Sequence, residues 1–358
     1  MSTIPFSRSR RSEAVGLYPV RILPGDRVFL VEPGEDVLTA GLRQGIDLRY
    51  GCRHGKCTSC KYVVLEGDVV HRGASPYAFS ARELEEGGVL LCSTFARSPL
   101  VITPFGGGPA TDGSVLIPPE ERTARVVSLT PASADLVELR LQPDHPLPYR
   151  PGQYAEIGIP GTDERRSYAM TEASGPGGEL RFLVEAGQRR ALAALAGAAA
   201  GGPGATAGGS VPVHLLGPFG RLFLRPGNRP LLLAATGAGI GPLLAILREL
   251  WAAGAAPPIR FWYGARPGGI PYADELAALA ADLPAFEFQP VELPAEGPVG
   301  WRLGRIVQRI GREVPDASGH DAYVAGPVAL GDALEALLTA KGLPERRFFC
   351  ERFYAVSS

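Results

Sequence analysis

Four cysteines constrain this chain more than any other feature. Cys52, Cys57 and Cys60 stand in GCRHGKCTSC, separated by four and then two residues, and thirty-one residues lie between Cys60 and Cys92. That spacing suits four thiolates around a two-iron, two-sulfide cluster, which is wide enough to need a loop reaching round its inorganic core. Gly51 and Gly55 permit a tight backbone there, and Thr58 and Ser59 are small enough to let N–H groups approach the sulfides. Zinc is a competing reading, although structural zinc uses paired knuckles and a solitary Cys92 supplies no second one. Cys57 and Cys60 also form C-x-x-C, but a thioredoxin-like dithiol opens a helix after a buried strand, and this loop does not. His54 and His71 lie nearby and are not needed as ligands when four thiolates are at hand.

The remaining composition narrows the class. A chain of 358 residues suggests two or three domains. Its net charge of −1 lacks the basic excess that nucleic-acid or membrane-surface binding needs. Five cysteines, an odd number with three in one loop, are poor material for a secreted disulfide framework and good material for a metal or redox site. The long uncharged stretches, 191–213 and 230–247, are either Ala/Gly-rich or broken by TGAGIGP, so neither reads as a membrane span. The N-terminal MSTIPFSRSRRSEAVG is basic and Ser-rich with no apolar run after it, which predicts a disordered tail on a cytoplasmic chain.

Three segments follow one another. In 17–105 short strands surround a helix capped by Asp36 and closed by Gly45, and a capping box, Ser80 to Glu83, starts a second helix. A strand VLLCSTF is predicted to carry Cys92. Residues 106–120, GGGPATDGSVLIPPE, read as a linker. In 121–226 closely spaced strands predict an antiparallel sandwich or barrel, interrupted by a brief helix and a flexible low-complexity loop in ALAALAGAAAGGPGATAGG. From 227 to 358 strands alternate with helices, the signature of a parallel α/β sheet.

Two segments carry binding chemistry. Arg166 and Tyr168 in RRSYAMT alternate onto one strand face, so a cation and an aromatic ring can address one ligand. LLLAATGAGIGPLLAIL runs from an apolar strand through a glycine turn into a helix, with Pro242 expected at the first helical position. Gly237 and Gly239 would let a pyrophosphate approach that helix N-terminus. The dinucleotide fingerprint is incomplete: position 242 is proline, and YGAR stands where an acidic residue is usual.

With these motifs in view, residues 20–103 resemble a plant-type ferredoxin, including CKYVVLEGDV and LLCST. By that resemblance Cys52 and Cys57 hold one iron, and Cys60 and Cys92 the other. Residues 121–358 resemble the ferredoxin–NADP reductase superfamily in the order RxY, GPFG, TGxGxxP, YGAR, YVAGP and CERF. The resemblance implies a β-grasp ferredoxin domain, an antiparallel β-barrel flavin domain and a Rossmann-like α/β nicotinamide domain. It implies that Arg166, Ser167, Tyr168 and Ala169 line the flavin, with main-chain contacts from Leu183, Val184 and Glu185. It likewise implies that Thr236, Gly237, Gly239 and Pro242 hold the nicotinamide cofactor, with Gly326 and Pro327 beneath it and Glu351 and Phe353 near the flavin edge. Ala169 stands where the family has serine, and GQRR (187–190) stands where it has GxxS, so the phosphate contact would pass to Arg189 or Arg190. The implied flavin is FAD rather than FMN. Ala325 replaces the cysteine of the family's CGP, and Cys350 is expected to be a small buried residue.

The whole chain thus resembles the NAD(P)H-dependent reductase component of a bacterial multicomponent oxygenase, the layout of benzoate and naphthalene dioxygenase reductases and of phenol, toluene and methane monooxygenase reductases. The resemblance implies electron flow from NADH, rather than NADPH, through flavin to a [2Fe-2S] cluster. The electrons then pass singly to a terminal oxygenase (a Rieske dioxygenase or diiron monooxygenase) or its Rieske ferredoxin, with the chain a monomer. Arg266 is the residue that could meet a 2′-phosphate, and Tyr354 or Phe353 could cover the flavin between turnovers. Residues 21–105 carry ten basic and ten acidic side chains, so docking should depend weakly on ionic strength. The rim around Arg53, His54 and Lys56 is the expected docking surface. Two other readings share these motifs: a flavin/iron–sulfur redox sensor, and a reductase for a non-oxygenase partner such as a deoxysugar dehydrase.

Overall fold

A computed structural model describes residues 16–106, 116–173, 178–200, 211–254, 256–283, 285–294, 296 and 298–354. It divides into two compact units, Met1–Leu116 and Ile117–Ser358. The expected N-terminal tail, most of the expected linker and the low-complexity loop after position 200 lie outside the described residues.

In the first unit β1 (Tyr18–Ile22) and β2 (Arg27–Val31) form an antiparallel hairpin whose Val20, Ile22, Phe29 and Val31 are buried at period two. Helix α1 (Val37–Arg43) begins where Asp36 accepts the Thr39 N–H at 2.9 Å and ends before Gly45, whose φ of 73° favours glycine. Its Gly41 meets Leu48 so closely that a Cβ would stand 2.4 Å from Leu48 Cδ1. The unit continues through β3 (Lys61–Glu66), β4 (Val69–His71), α2 (Ala81–Glu85), β5 (Gly88–Leu90), β6 (Thr94–Ala96) and β7 (Leu100–Pro104). The main sheet runs β2-β1-β7-β3-β5, with β1 and β7 parallel and the other pairs antiparallel, which is a β-grasp arrangement. Strands β4 and β6 pair separately.

Cys92 does not lie on a strand. Residues Leu91–Ser93 form a 3-10 turn between β5 and β6. From this turn the Cys92 sulfur lies 3.4 Å from that of Cys60.

The second unit opens with six antiparallel strands: β8 (Glu120–Pro131), β9 (Leu136–Pro143), β10 (Tyr154–Gly158), β11 (Arg165–Ala169), β12 (Leu180–Glu185) and, after α3 (Arg189–Ala199), β13 (Val213–Phe219). Their order is β11-β10-β13-β8-β9-β12, and a bridge between Met170 and Phe182 joins the two ends into a nearly closed barrel. Leu139, Leu141, Ile157, Tyr168, Phe182, Val184 and Leu215 fill its interior, and Leu195 and Ala198 of α3 close it.

A parallel sheet completes the unit, built from β14 (Leu231–Thr236), α4 (Ile240–Ala252), β15 (Ile259–Ala265), α5 (Ala273–Asp282), β16 (Phe286–Glu292), α6 (Val299–Glu313), β17 (Asp321–Pro327), α7 (Val328–Ala340) and β18 (Phe348–Phe353). The order β16-β15-β14-β17-β18 puts a topological switch at β14, where ligands of such sheets bind. Helix α4 starts at Ile240 after a 3-10 turn, Gly237–Gly239, so Pro242 is its third residue rather than its first. The position still suits proline, because N–H groups in a first helical turn have no intrahelical partner.

Candidate cofactor sites

In the first unit the cysteine loop and the 3-10 turn bring four thiols together as two pairs. Cys52 N–H donates to Cys57 Sγ at 3.2 Å and Cys57 N–H to Cys52 Sγ at 3.4 Å, while Cys60 and Cys92 lie with their sulfurs 3.4 Å apart. His54 N–H also points at Cys52 Sγ, at 3.4 Å. The hydrogen bond from Cys52 lowers the Cys57 thiol to about 5, and that from Cys60 lowers Cys92, while the donating partners are raised. The thiols lie in a largely buried site where backbone N–H groups point at Sγ, a donor set that fits a cationic centre. Among the described residues no three His, Cys, Asp or Glu side chains converge as a single ion would require. Two pairs suit a two-metal group better than zinc.

Glycine makes this loop possible. A Cβ on Gly51 would stand 3.0 Å from Cys57 Sγ, and one on Gly55 (φ 72°) would stand 2.6 Å from the Gly73 carbonyl. Ser75 N–H donates to Gly55 O at 2.9 Å, which lays segment 73–79 against the loop. Tyr77 on that segment is almost fully exposed. His71 Nε2 accepts the Leu90 N–H at 3.1 Å and so steadies the strand that leads to Cys92.

In the second unit Arg166 and Tyr168 do share a face, and both reach one atom. Arg166 Nη1 donates to Gln188 Oε1 at 3.0 Å and Tyr168 OH to the same oxygen at 2.7 Å. Burial pushes the Tyr168 phenol up to about 12, so it remains a donor. Gln188 sits at the start of α3, beside the exposed Arg189 and Arg190. Gln188 is an addition to the two arginines expected here from the sequence. The signal was its place in GQRR, immediately before the helix. Ser167 is exposed on the opposite face of β11, and Leu183 and Val184 are buried in the barrel wall.

The glycine turn after β14 is assembled by close backbone contacts. Thr236 is buried between Gly264 and Gly326: a Cβ on Gly264 would stand 2.8 Å from Thr236 Cγ2, and one on Gly326 3.1 Å from its Oγ1. A Cβ on Gly239 would stand 2.2 Å from the Ala325 carbonyl, so this glycine has a packing reason independent of any ligand. Tyr263 OH donates to Gly237 O at 3.0 Å, and Glu185 Oε1 lies 3.2 Å from the Cβ position of Gly237. The barrel edge is close: a Cβ on Gly241 would lie 3.9 Å from Ala169 O and 3.3 Å from Thr171 Cγ2. On β18 the Glu351 carboxylate lies 3.3 Å from the Cβ position of Gly220, whose other neighbour there is the Tyr154 ring. Pro327 caps α7, and Phe353 pairs with it in register. The structure thus gathers residues of β11, β12, β14, β17 and β18 along one seam between barrel and sheet. Arg266, just past β15, is bound through two hydrogen bonds to Asp135 of the barrel. Cys350 is half-buried on β18, and burial raises its thiol to about 12. It packs against the cluster that includes Val324, Leu330 and Leu334.

Comparison with known proteins agrees with these two centres. Residues 20–97 match the 2Fe-2S iron-sulfur cluster binding domain family and residues 233–335 the oxidoreductase NAD-binding domain family. The reductase component of propane 2-monooxygenase from Rhodococcus jostii (strain RHA1) is 33% identical over 97% of this chain and 94% of its own length. The chain belongs to the reductase components of multicomponent oxygenases. A second relative, the phenol 2-monooxygenase reductase component DmpP of Pseudomonas sp. (strain CF600), is 32% identical over 95% of both chains. Among solved structures, Amycolatopsis cytochrome P450 reductase GcoB superposes with a TM-score of 0.77 at 27% identity, covering 94% of this chain and 98% of that one. The reductase is therefore an oxidoreductase with a [2Fe-2S] domain and a nicotinamide-dinucleotide domain, and it transfers electrons to an oxygenase. No helix among its described residues is long and apolar enough to cross a membrane.

Proposed function

We propose that the reductase carries electrons from NADH through FAD to a [2Fe-2S] cluster held by Cys52, Cys57, Cys60 and Cys92, and then singly to a hydrocarbon or phenol monooxygenase. The arrangement of the cysteines as two thiol pairs, on the same chain as the Arg166–Tyr168 face and the glycine turn, carries this reading. The choice of partner is supported by four relatives at 31–33% identity, all reductase components of propane 2-monooxygenase. We also place the reductase in the cytoplasm, as a monomer.

When bound, the flavin takes an electron pair from the nicotinamide and the cluster passes electrons on one at a time. The chain's own residues bind and orient. Arg166 and Tyr168 aim two donors at one oxygen, now that of Gln188, and a phosphate oxygen of FAD is an acceptor of the same kind. The N-terminus of α3 and the adjacent Arg189 and Arg190 favour an anion at that place. Ala169 and the backbone of Leu183, Val184 and Glu185 form the neighbouring wall. Thr236, Gly237, Gly239 and Pro242, with Gly326 and Pro327 behind them, form the nicotinamide side, and Glu351 and Phe353 flank the seam. Leu38, Leu48 and Leu91 belong to the buried core of the first unit.

An anaerobic visible-spectrum titration tests the relay. NADH should bleach flavin and cluster bands together, and Cys60→Ser should spare NADH-driven ferricyanide reduction while abolishing electron delivery to the monooxygenase. Equal survival of both activities in Cys60→Ser would show that the order of carriers is wrong.

A further inference from the structure

Helix α4 holds the residue that segment 170–172, the continuation of β11, presents to it, and it does so from two places. Thr171 is fully buried, and it belongs firmly to the barrel, because its N–H donates to the Arg181 carbonyl of β12 at 2.9 Å. In the first turn of α4, Gly241 packs on its side chain, where a Cβ would stand 3.3 Å from Thr171 Cγ2. Seven residues on, and so on the same helix face, Arg248 Nη1 donates to the Thr171 carbonyl at 2.8 Å. One end of this grip is the turn that follows β14; the other is main chain two residues beyond Ala169.

The Arg248 side chain is itself held on all sides. Its Nε and Nη2 donate to the two oxygens of Glu275 on α5, each at 2.6 Å, and Nη1 also reaches Glu172 Oε1 at 3.3 Å. The guanidinium lies 5.2 Å from the centre of the Tyr272 ring, whose hydroxyl donates to Glu138 on β9. Only 15% of the side chain is exposed. A charged group buried this far adds little net stability over an apolar contact of the same size, but it accepts only one geometry. The other joins between sheet and barrel engage the β8–β9 turn and the segment after β13. Arg248 engages the main chain that continues the strand of Arg166 and Tyr168.

We propose that Arg248 is a positioning residue for the hydride step: by tying α4 to the main chain beyond β11, it sets the separation of nicotinamide and flavin. This rests on the proposed placement of the flavin on β11 and of the nicotinamide at the turn after β14. In that step a C–H bond of NADH breaks, and its hydrogen and electron pair pass together to the flavin, leaving NAD+ and a two-electron-reduced flavin. Reacting atoms must approach to about 3–3.5 Å, and a shift of about 1 Å can cost about 100-fold in rate.

Anaerobic stopped-flow mixing of the full-length, FAD-loaded protein with NADH gives the limiting rate of flavin bleaching, and calorimetry with ADP-ribose gives dinucleotide affinity without turnover. Arg248→Gln should lower the limiting rate by about tenfold or more while that affinity stays within about twofold. Amide exchange of segment 168–173 should quicken in the same variant with no dinucleotide present. Arg248→Lys keeps a cation between Glu172 and Glu275 but loses the planar fork, so it should fold and lose about threefold in rate. It carries the test if the glutamine variant does not fold. Arg260→Gln removes an arginine bonded to Glu287 and Glu313, away from the barrel, and should lower stability at the parent rate. A parent-like rate or unchanged exchange in the Arg248 variants overturns the role. So does a fall in rate matched by Arg260→Gln, or one accompanied by an equal fall in ADP-ribose affinity. Failure of NADH to bleach the flavin of the unaltered protein overturns the proposed relay, and the positioning role with it.

Discussion

Single glycines set the shape of both centres. Gly55 has a φ of 72° and no space for a methyl group, with the Gly73 carbonyl and Ser93 Oγ at 2.6 and 2.8 Å from its Cβ position. Gly55→Ala should therefore destabilise the first unit by at least about 1–2 kcal/mol, from left-handed strain and backbone collision together. Urea denaturation followed by cluster absorbance would measure this, and NADH-driven ferricyanide reduction should persist. Thr236 tells the same story from the other side. Its side chain is buried because both adjoining strands offer glycine at the matching height, Gly264 in register and Gly326 beside it. YGAR and YVAGP are thus partners of the TGAGIGP turn in packing as well as in sequence order.

At the scale of elements, short pieces depend on their caps and long ones on packing. Helix α2 has five residues and no buried side chain, so its capping box and the Lys61–Glu83 contact at 2.7 Å hold it. Lys61, and after it the Ser80 N–H, lowers the Glu83 carboxyl to about 2. Because the folded value lies below the unfolded one, Glu83 stabilises fully above pH ~4.5 and loses that contribution as pH falls toward about 2. The stability difference between the parent protein and Glu83→Gln, read by circular dichroism in urea, should be constant above about pH 5 and close on acidification. A gap independent of pH would contradict the pairing. Helix α4 is anchored instead by burial and by Arg248, which binds Glu275 twice at 2.6 Å and the Thr171 carbonyl at 2.8 Å. That arginine fastens sheet to barrel. An aromatic–cation stack running Arg150, Phe223, Arg225, Phe349 fastens them again nearby.

Over the whole molecule, the division at Leu116/Ile117 separates the cysteine centre from the two flavin and nicotinamide layers, which form one compact unit. Residues 117–358 expressed alone should keep NADH-driven ferricyanide reduction and lose reduction of cytochrome c by at least about tenfold, since one-electron delivery is assigned to the cluster. Cytochrome c reduction at the parent rate would place the electron exit on the flavin instead.

The cysteine spacing, the capping residues, the barrel strands and the β-α alternation after 227 were legible in the sequence, because each is a local pattern repeated at the period of its own element. The strand β16 and the arginine-rich α6 were not: the polar side chains of α6 mask an apolar stripe of Leu303, Ile306 and Ile310 that shows only once the sheet is there to cover it. Local pattern also failed at Cys92, which lies in a turn rather than on a strand and faces Cys60 from across the chain. The sequence by itself determined which groups are present: four thiols, an arginine and a tyrosine on one strand face, and a glycine turn before a helix. Only the tertiary structure decided what those groups face. It sorted the thiols into two pairs, aimed Arg166 and Tyr168 at one oxygen, and set Asp135 against Arg266. Each is a contact between residues far apart in the chain, and its geometry is fixed by the packing of whole layers.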